Sequence, residues 1–204
     1  MKKMKELTAL TIAAVMIVML SGSALAANLT HTVVKGDTMW KLAVKYQVGT
    51  SEIIAANPQV SNPNLIYPGQ RLNIPQLSSD VLDYETEVVR LVNEQRAKYG
   101  LQPLTMNWEL SRVARYKSED MAKNRYFSHT SPTYGSPFDM MRSFGISYRS
   151  AGENIAYGQR TPSAVMDAWM NSSGHRENIL KSSYTQIGVG YYANGNYWTQ
   201  MFIG

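Results

Sequence analysis

The sequence predicts an α+β chain of two domains, a small strand-helix-helix-strand module followed by a larger, helix-rich domain that ends in an antiparallel hairpin. Three observations lead there. Apolar residues between His31 and Ile74 switch from alternation to helical spacing and back; amphipathic helical patterns follow from Val81 onward; and Asn194-Gly195 lies between two apolar runs near the carboxyl end. With 44 % hydrophobic and 17 % charged residues in 204, the chain has material for a core and lacks the charge excess of disorder.

The first 26 residues stand apart. Lys2, Lys3 and Lys5 precede an apolar run from Leu7 to Leu20, and Ala24-Leu25-Ala26 supplies small residues behind it. The run is shorter than the roughly 20 residues that span a bilayer, so residues 1–26 read as a secretory leader, with cleavage expected before Ala27. No cysteine is present, which excludes disulfides, thiolate chemistry and a lipid-modified cysteine. The net charge of +5 becomes +3 without the leader's three lysines and one glutamate. For an exported chain that surplus implies no nucleic-acid partner and at most weak attraction to anionic wall polymers.

In residues 27–75, His31 to Val34 alternates as a strand. Gly36-Asp37-Thr38 then turns into a helix with Met39, Leu42, Ala43 and Tyr46 on one side. Thr50 or Ser51 is expected to cap a second helix carrying Ile53, Ile54 and Ala56, stopped by Asn57-Pro58. Tyr67-Pro68-Gly69-Gln70 turns into a last strand, Arg71 to Ile74. Residues 76–80, a polar stretch after Pro75, are the expected linker, and residues 81–204 the second domain.

There Tyr84, Val88, Leu91, Val92 and Tyr99 share a helical stripe closed by Gly100, and a second helix carries Leu110, Val113, Ala114 and Met121. Ser136-Pro137-Phe138-Asp139 and Thr161-Pro162 open two more helices. Ile187 to Ala193 and Asn196 to Ile203 form the terminal hairpin.

The stretches VVKGDTMWKLAVKY, TSEIIAANP and NLIYPGQRLNIP resemble the LysM family along its whole length. The resemblance implies binding of N-acetylglucosamine polymers, peptidoglycan or chitin, in a shallow groove. Its walls would be Gly36, Asp37, Thr38 and Met39 on one side and Asn57, Pro58, Leu65, Ile66 and Tyr67 on the other. Asp37 or Thr38 has the alternative role of capping the helix, and Trp40 reads equally as core or as a stacking platform.

In the second domain KSEDMAKNRYFSHTSP, AGENIAYG, AVMDAWMNSSGHRENIL and IGVGYY with NYWTQMFIG resemble the bacterial branch of the CAP (SCP, pathogenesis-related 1) superfamily. That implies an α-β-α sandwich with a central cleft. His129, Glu153 and His175 fall in these motifs and are the candidate catalytic and metal-ligating residues. The family's cleft is linked to divalent metals, so an ion such as zinc is the only cofactor implied. The eukaryotic pattern has a glutamate where this chain has Ser172 and a histidine where it has Tyr197. Glu119, four residues from Arg115, reads as a solvated ion pair, Asp120 as a residue able to orient a cleft histidine, and Gly174 to Asn178 as a turn capped by Asn178.

The leading expectation is a secreted, extracellular, wall-associated protein. LysM would hold peptidoglycan or a related polymer, and the CAP domain would be a non-catalytic binding or scaffold domain. No stable membrane insertion would remain after cleavage, and the identity of any protein partner is left open. A wall-targeted, metal-dependent hydrolase is the alternative, although a serine nucleophile elbow, HExxH and a phosphate loop are all missing. A lipid-binding cleft is the third reading.

Overall fold

The structure, a computed structural model, describes residues 29–204; the expected leader, Met1 to Ala26, and its cleavage site lie outside them. In the first domain β1 (Leu29–Thr32), α1 (Met39–Tyr46), α2 (Thr50–Ala55) and β2 (Arg71–Ile74) follow one another. The two strands pair antiparallel, Leu29 opposite Ile74 and Thr32 opposite Arg71. Val33, Met39, Leu42, Ala43, Val48, Ile53, Leu72 and Ile74 form the core.

Thr38 caps α1, its hydroxyl accepting from the Lys41 N–H at 3.1 Å. The expected cap of α2 moves back by one residue. Gly49 is the N-cap, and Glu52 reaches back to accept the Gly49 N–H at 2.7 Å, half of a capping box supplied by the acid alone. Trp40 is 66 % exposed, so it is not core; Met39 beside it fills that place.

In the second domain the elements are α3 (Ser79–Lys98), β3 (Thr105–Met106), α4 (Trp108–Lys123), α5 (Pro137–Ser143), β4 (Ala151–Tyr157), α6 (Pro162–Met170), α7 (Ser173–Ile179), β5 (Gln186–Tyr192) and β6 (Tyr197–Ile203). The sheet order is β3-β5-β6-β4, with only the β3–β5 pair parallel. One face packs against α3, α6 and α7 through Val88, Val92, Trp169, Ile179, Trp198 and Phe202. The other packs against α4 and α5 through Leu110, Val113, Met140 and Met201. The result is the expected three-layer sandwich. Gly188 and Gly190 lie so close to α4 that a Cβ on either would run into its backbone at Leu110–Ser111 and Ala114–Arg115.

Several local expectations change. Helix α3 starts at Ser79, inside the expected linker, because Ser78-Ser79-Asp80 is a helix-opening sequence as well as a polar one. The hairpin turn spans Ala193 to Asn196, with positive φ at Gly195 and Asn196 rather than at Asn194. Glu119 pairs with Lys123 at 2.7 Å, because Arg115 turns inward to fully buried Glu85, which also accepts the Tyr191 N–H at 3.1 Å. Gly174 to Asn178 is helical, and Asn178 caps nothing. Its amide donates to the Glu153 carbonyl at 3.2 Å and to the Asn154 side chain at 2.9 Å.

The domains touch through α2 and α4. Arg112 Nε donates to Glu52 Oε1 at 2.6 Å and Tyr116 donates its hydroxyl to the same oxygen at 2.7 Å. Burial and the adjoining carboxylate push the Tyr116 hydroxyl up to about 12. Burial alone would raise Glu52, but Arg112, the Gly49 N–H and Tyr116 outweigh it and hold the carboxyl below its ordinary value.

Candidate functional site

Helix α4 buries a stripe of Leu110, Val113, Ala114, Lys117 and Met121 against the sheet. Lys117 is the exception in chemistry: its ammonium lies where an apolar residue would be expected, and it donates to the carbonyls of Ser128 and His129, both at 2.8 Å. Burial lowers its pKa, opposed by the charges of Glu153 and Asp120. The loop after α4 is tied a second time by Asp120. This carboxylate accepts from Asn124 and Thr133 at 2.7 Å each, from Ser131 at 2.7 Å and from Tyr126 at 2.5 Å. Asp120 therefore shapes the loop that carries His129 and does not orient the histidine ring, because four neighbouring donors take its lone pairs.

On that loop His129 turns Nδ1 to Glu153 Oε1 at 2.8 Å; the histidine side chain is 54 % exposed and that of Glu153 only 1 %. Glu153 is the third residue of β4, on the sheet face that α4 covers. Its other oxygen, Oε2, is buried and has no partner among the described residues. Burial raises the Glu153 pKa, while the bond from His129 and the charge of Lys117 pull it back. An imidazole N–H donating to a carboxylate fixes the tautomer and leaves Nε2 directed away from the bond.

Asn154, next along β4, points to the opposite face. There it donates to the His175 backbone carbonyl at 3.0 Å and to Gln200 at 3.1 Å. His175 sits on α7 beyond the edge strand; burial lowers its pKa, and the His129 charge lowers it further. The two histidines are thus electrostatic neighbours, but the direct pair is His129 with Glu153. Among the described residues no group of three or more His, Asp or Glu side chains is placed to hold a metal ion, and with Nδ1 bonded to Glu153 the His129 ring keeps Nε2 as its one ligand position.

In the first domain the expected groove residues divide. Met39 and Asn57 are buried at 4 % and 1 % exposure. The Asn57 amide donates to the Ile53 and Asn73 carbonyls at 2.7 Å, and its oxygen accepts the Asn73 N–H at 2.8 Å, locking α2 to β2. Asp37 accepts from His31 at 2.8 Å and from the Val34 N–H at 2.9 Å, closing its own loop. Thr38 caps, and Ile66 is half-buried against the core. Gly36, Pro58, Leu65 and Tyr67 remain exposed. Lys117, Asp120 and Glu52 were not picked out by sequence reasoning for the roles they hold. A lysine on an apolar helical stripe was the one available signal.

Comparison with known proteins adds two family matches, the cysteine-rich secretory protein (CAP) family over residues 89–202 and the LysM domain over residues 31–75. An uncharacterized Bacillus subtilis protein, YkwD, is 61 % identical over 126 residues, covering 62 % of this chain and 49 % of that protein. An uncharacterized membrane protein of the same organism, YlbC, is 42 % identical over 119 residues, covering 58 % and 34 %. The chain thus spans half or less of the length of these relatives. Among solved structures, an extracellular SCP-domain protein from Bacillus anthracis superposes with a TM-score of 0.59 at 34 % identity, over 67 % of this chain and 47 % of that one.

Proposed function

Because this chain belongs to the cysteine-rich secretory protein (CAP) family and carries a LysM domain ahead of the CAP domain, we propose that it is a secreted, wall-retained binding protein. LysM holds an N-acetylglucosamine-containing glycan such as peptidoglycan, and the CAP domain presents a polar recognition site around His129 and Glu153. Export with loss of Met1 to Ala26 belongs to the same reading, in keeping with the extracellular Bacillus anthracis relative. Among the described residues no helix is long and apolar enough to cross a membrane.

The observation that supports this reading is the way the domains join. Glu52 opens α2, and Ile74 ends β2 beside Leu29, so the CAP contact and the linker lie at one end of the module. The loops with exposed Gly36, Leu65 and Tyr67 follow Thr32 and precede Arg71, at the other end. Anchoring to the CAP domain leaves the groove open to a polymer. The test is co-sedimentation of the full chain with purified peptidoglycan. Leu65→Ala/Tyr67→Ala should release most of it while Phe138→Ala, exposed on the CAP domain, should not. Equal retention of all three would defeat the assignment.

A second reading, acid–base hydrolysis of a wall polymer, draws on the His129–Glu153 bond, since a carboxylate-oriented imidazole is a proton-transfer device. In it His129 moves the proton at Nε2 and Glu153 steadies the imidazolium. Release of soluble fragments from peptidoglycan by the wild type, abolished in His129→Ala, would favour it.

A further inference from the structure

We propose that a row of aromatic rings leading to the His129–Glu153 pair is a second contact for the wall glycan, carried by the CAP domain itself. Tyr157 ends β4, Tyr197 opens β6 and Tyr192 ends β5. The register sets Tyr157 opposite Tyr197 and Tyr197 opposite Tyr192, so the three side chains stand on one face of the sheet. The rings of Tyr157 and Tyr197 are 4.7 Å apart, and Phe127, on the loop after α4, lies 6.2 Å from Tyr157. Phe127 and Tyr157 stay 53 % and 55 % exposed, which is unusual for large rings gathered in one patch.

The row has a direction. Phe127 meets Tyr157, and two residues later His129 meets Glu153, four residues earlier in β4. The two contacts are separated by roughly 13 Å along β4, with tilted rings at one end and a half-exposed imidazole at the other. That order of chemistry suits a chain of pyranose rings. The C–H faces of a sugar lie against aromatic rings, and its hydroxyls need polar partners such as the open edge of His129. An acyl chain would need enclosure, and this surface is open. A strongly acidic ligand would meet the Glu153 carboxylate.

The proposal rests on the LysM reading, because a chain already held on glycan meets further sugar rings at high local concentration, and two weak contacts on one polymer reinforce each other.

The experiment uses the full chain and soluble N-acetylglucosamine oligomers, read by titration calorimetry and by resonance shifts. Leu65→Ala/Tyr67→Ala removes the LysM contact and should leave a weaker second binding event. Adding Phe127→Ala/Tyr157→Ala should abolish it. In the otherwise wild-type chain, Phe127→Ala/Tyr157→Ala should weaken retention on peptidoglycan about 3- to 10-fold, and Tyr157→Phe should restore most of it. Both rings are exposed, so circular dichroism should show an unchanged fold. Absence of residual binding in Leu65→Ala/Tyr67→Ala, with wild-type retention in Phe127→Ala/Tyr157→Ala, would overturn this inference and leave the LysM reading standing. Absence of binding by the wild type would overturn both, and shifts at Phe127 and Tyr157 with peptides or lipid vesicles but not with the oligomers would overturn the sugar assignment.

Discussion

Replacing Lys117 by methionine tests how the site is held. Lys117 is fully buried, and its ammonium is the donor to the backbone carbonyls of Ser128 and His129. Methionine fills similar volume but donates nothing. Each carbonyl left without its donor costs about 1–3 kcal/mol where burial is complete; both bonds are partly solvated, so the expected loss is about 2–4 kcal/mol. At a urea slope of about 2 kcal/mol per molar, the middle of the usual range, the midpoint should fall by about 1–2 M. The substitution also strips Glu153 of the nearby positive charge that opposes its burial. Glu153→Gln, which removes the stranded charge, should therefore recover part of the loss. In a double-mutant cycle the two changes should fall short of additivity by about 1–3 kcal/mol. A shift of less than roughly 0.2 M for Lys117→Met, or additivity within about 0.5 kcal/mol, would refute a charged Lys117 as the tie between loop and strand.

Arg112→Ala removes the cation that joins α4 to Glu52. For this half-buried pair a loss of about 1 kcal/mol should speed limited proteolysis at Gln76 to Ser78 about fivefold and loosen the correlated tumbling of the domains, and unchanged cleavage would count against the contact. Asp120→Asn tests the loop hub through pH. Burial raises the Asp120 pKa, but bonds from Ser131, Tyr126, Thr133 and Asn124 outweigh it and hold the pKa below the ordinary value. A depressed carboxyl stabilises the fold above its unfolded pKa, near 3.9, and that contribution is lost as pH falls through the folded value. The variant should be less stable by about 1–3 kcal/mol at pH 7, with the gap narrowing in melts toward pH 3; a gap independent of pH would contradict this.

Much of the architecture was legible because it is written in local signals. Ser136, Thr161 and Thr38 each accept an N–H three residues on, as their spacing from the following helix implies. The stripe of Leu110, Val113, Ala114 and Met121 marked α4 by period alone. Strand β4 was not foreseen because its central residues are covered on both faces. Gly152 to Ala156 are all buried, so no alternation marks the strand. The His129–Glu153 pair was legible only as motif membership, since 24 residues separate the partners. The work of Glu52, Asp120 and Lys117 is set by groups distant in sequence, and a glutamate that caps its own helix gives no sign that a second domain also uses it. Trp40 and Met39 are adjacent and both apolar; only the phase of α1 decides that Met39 goes in and Trp40 out.

The most direct test of the central claim is to follow backbone amide resonances of the full chain while N-acetylglucosamine oligomers are added. The account predicts saturable shifts at Gly36, Leu65 and Tyr67, at affinities near millimolar for one shallow groove, about −4 kcal/mol, lost in Tyr67→Ala. Resonances of these loops that stay in place throughout the titration would contradict it.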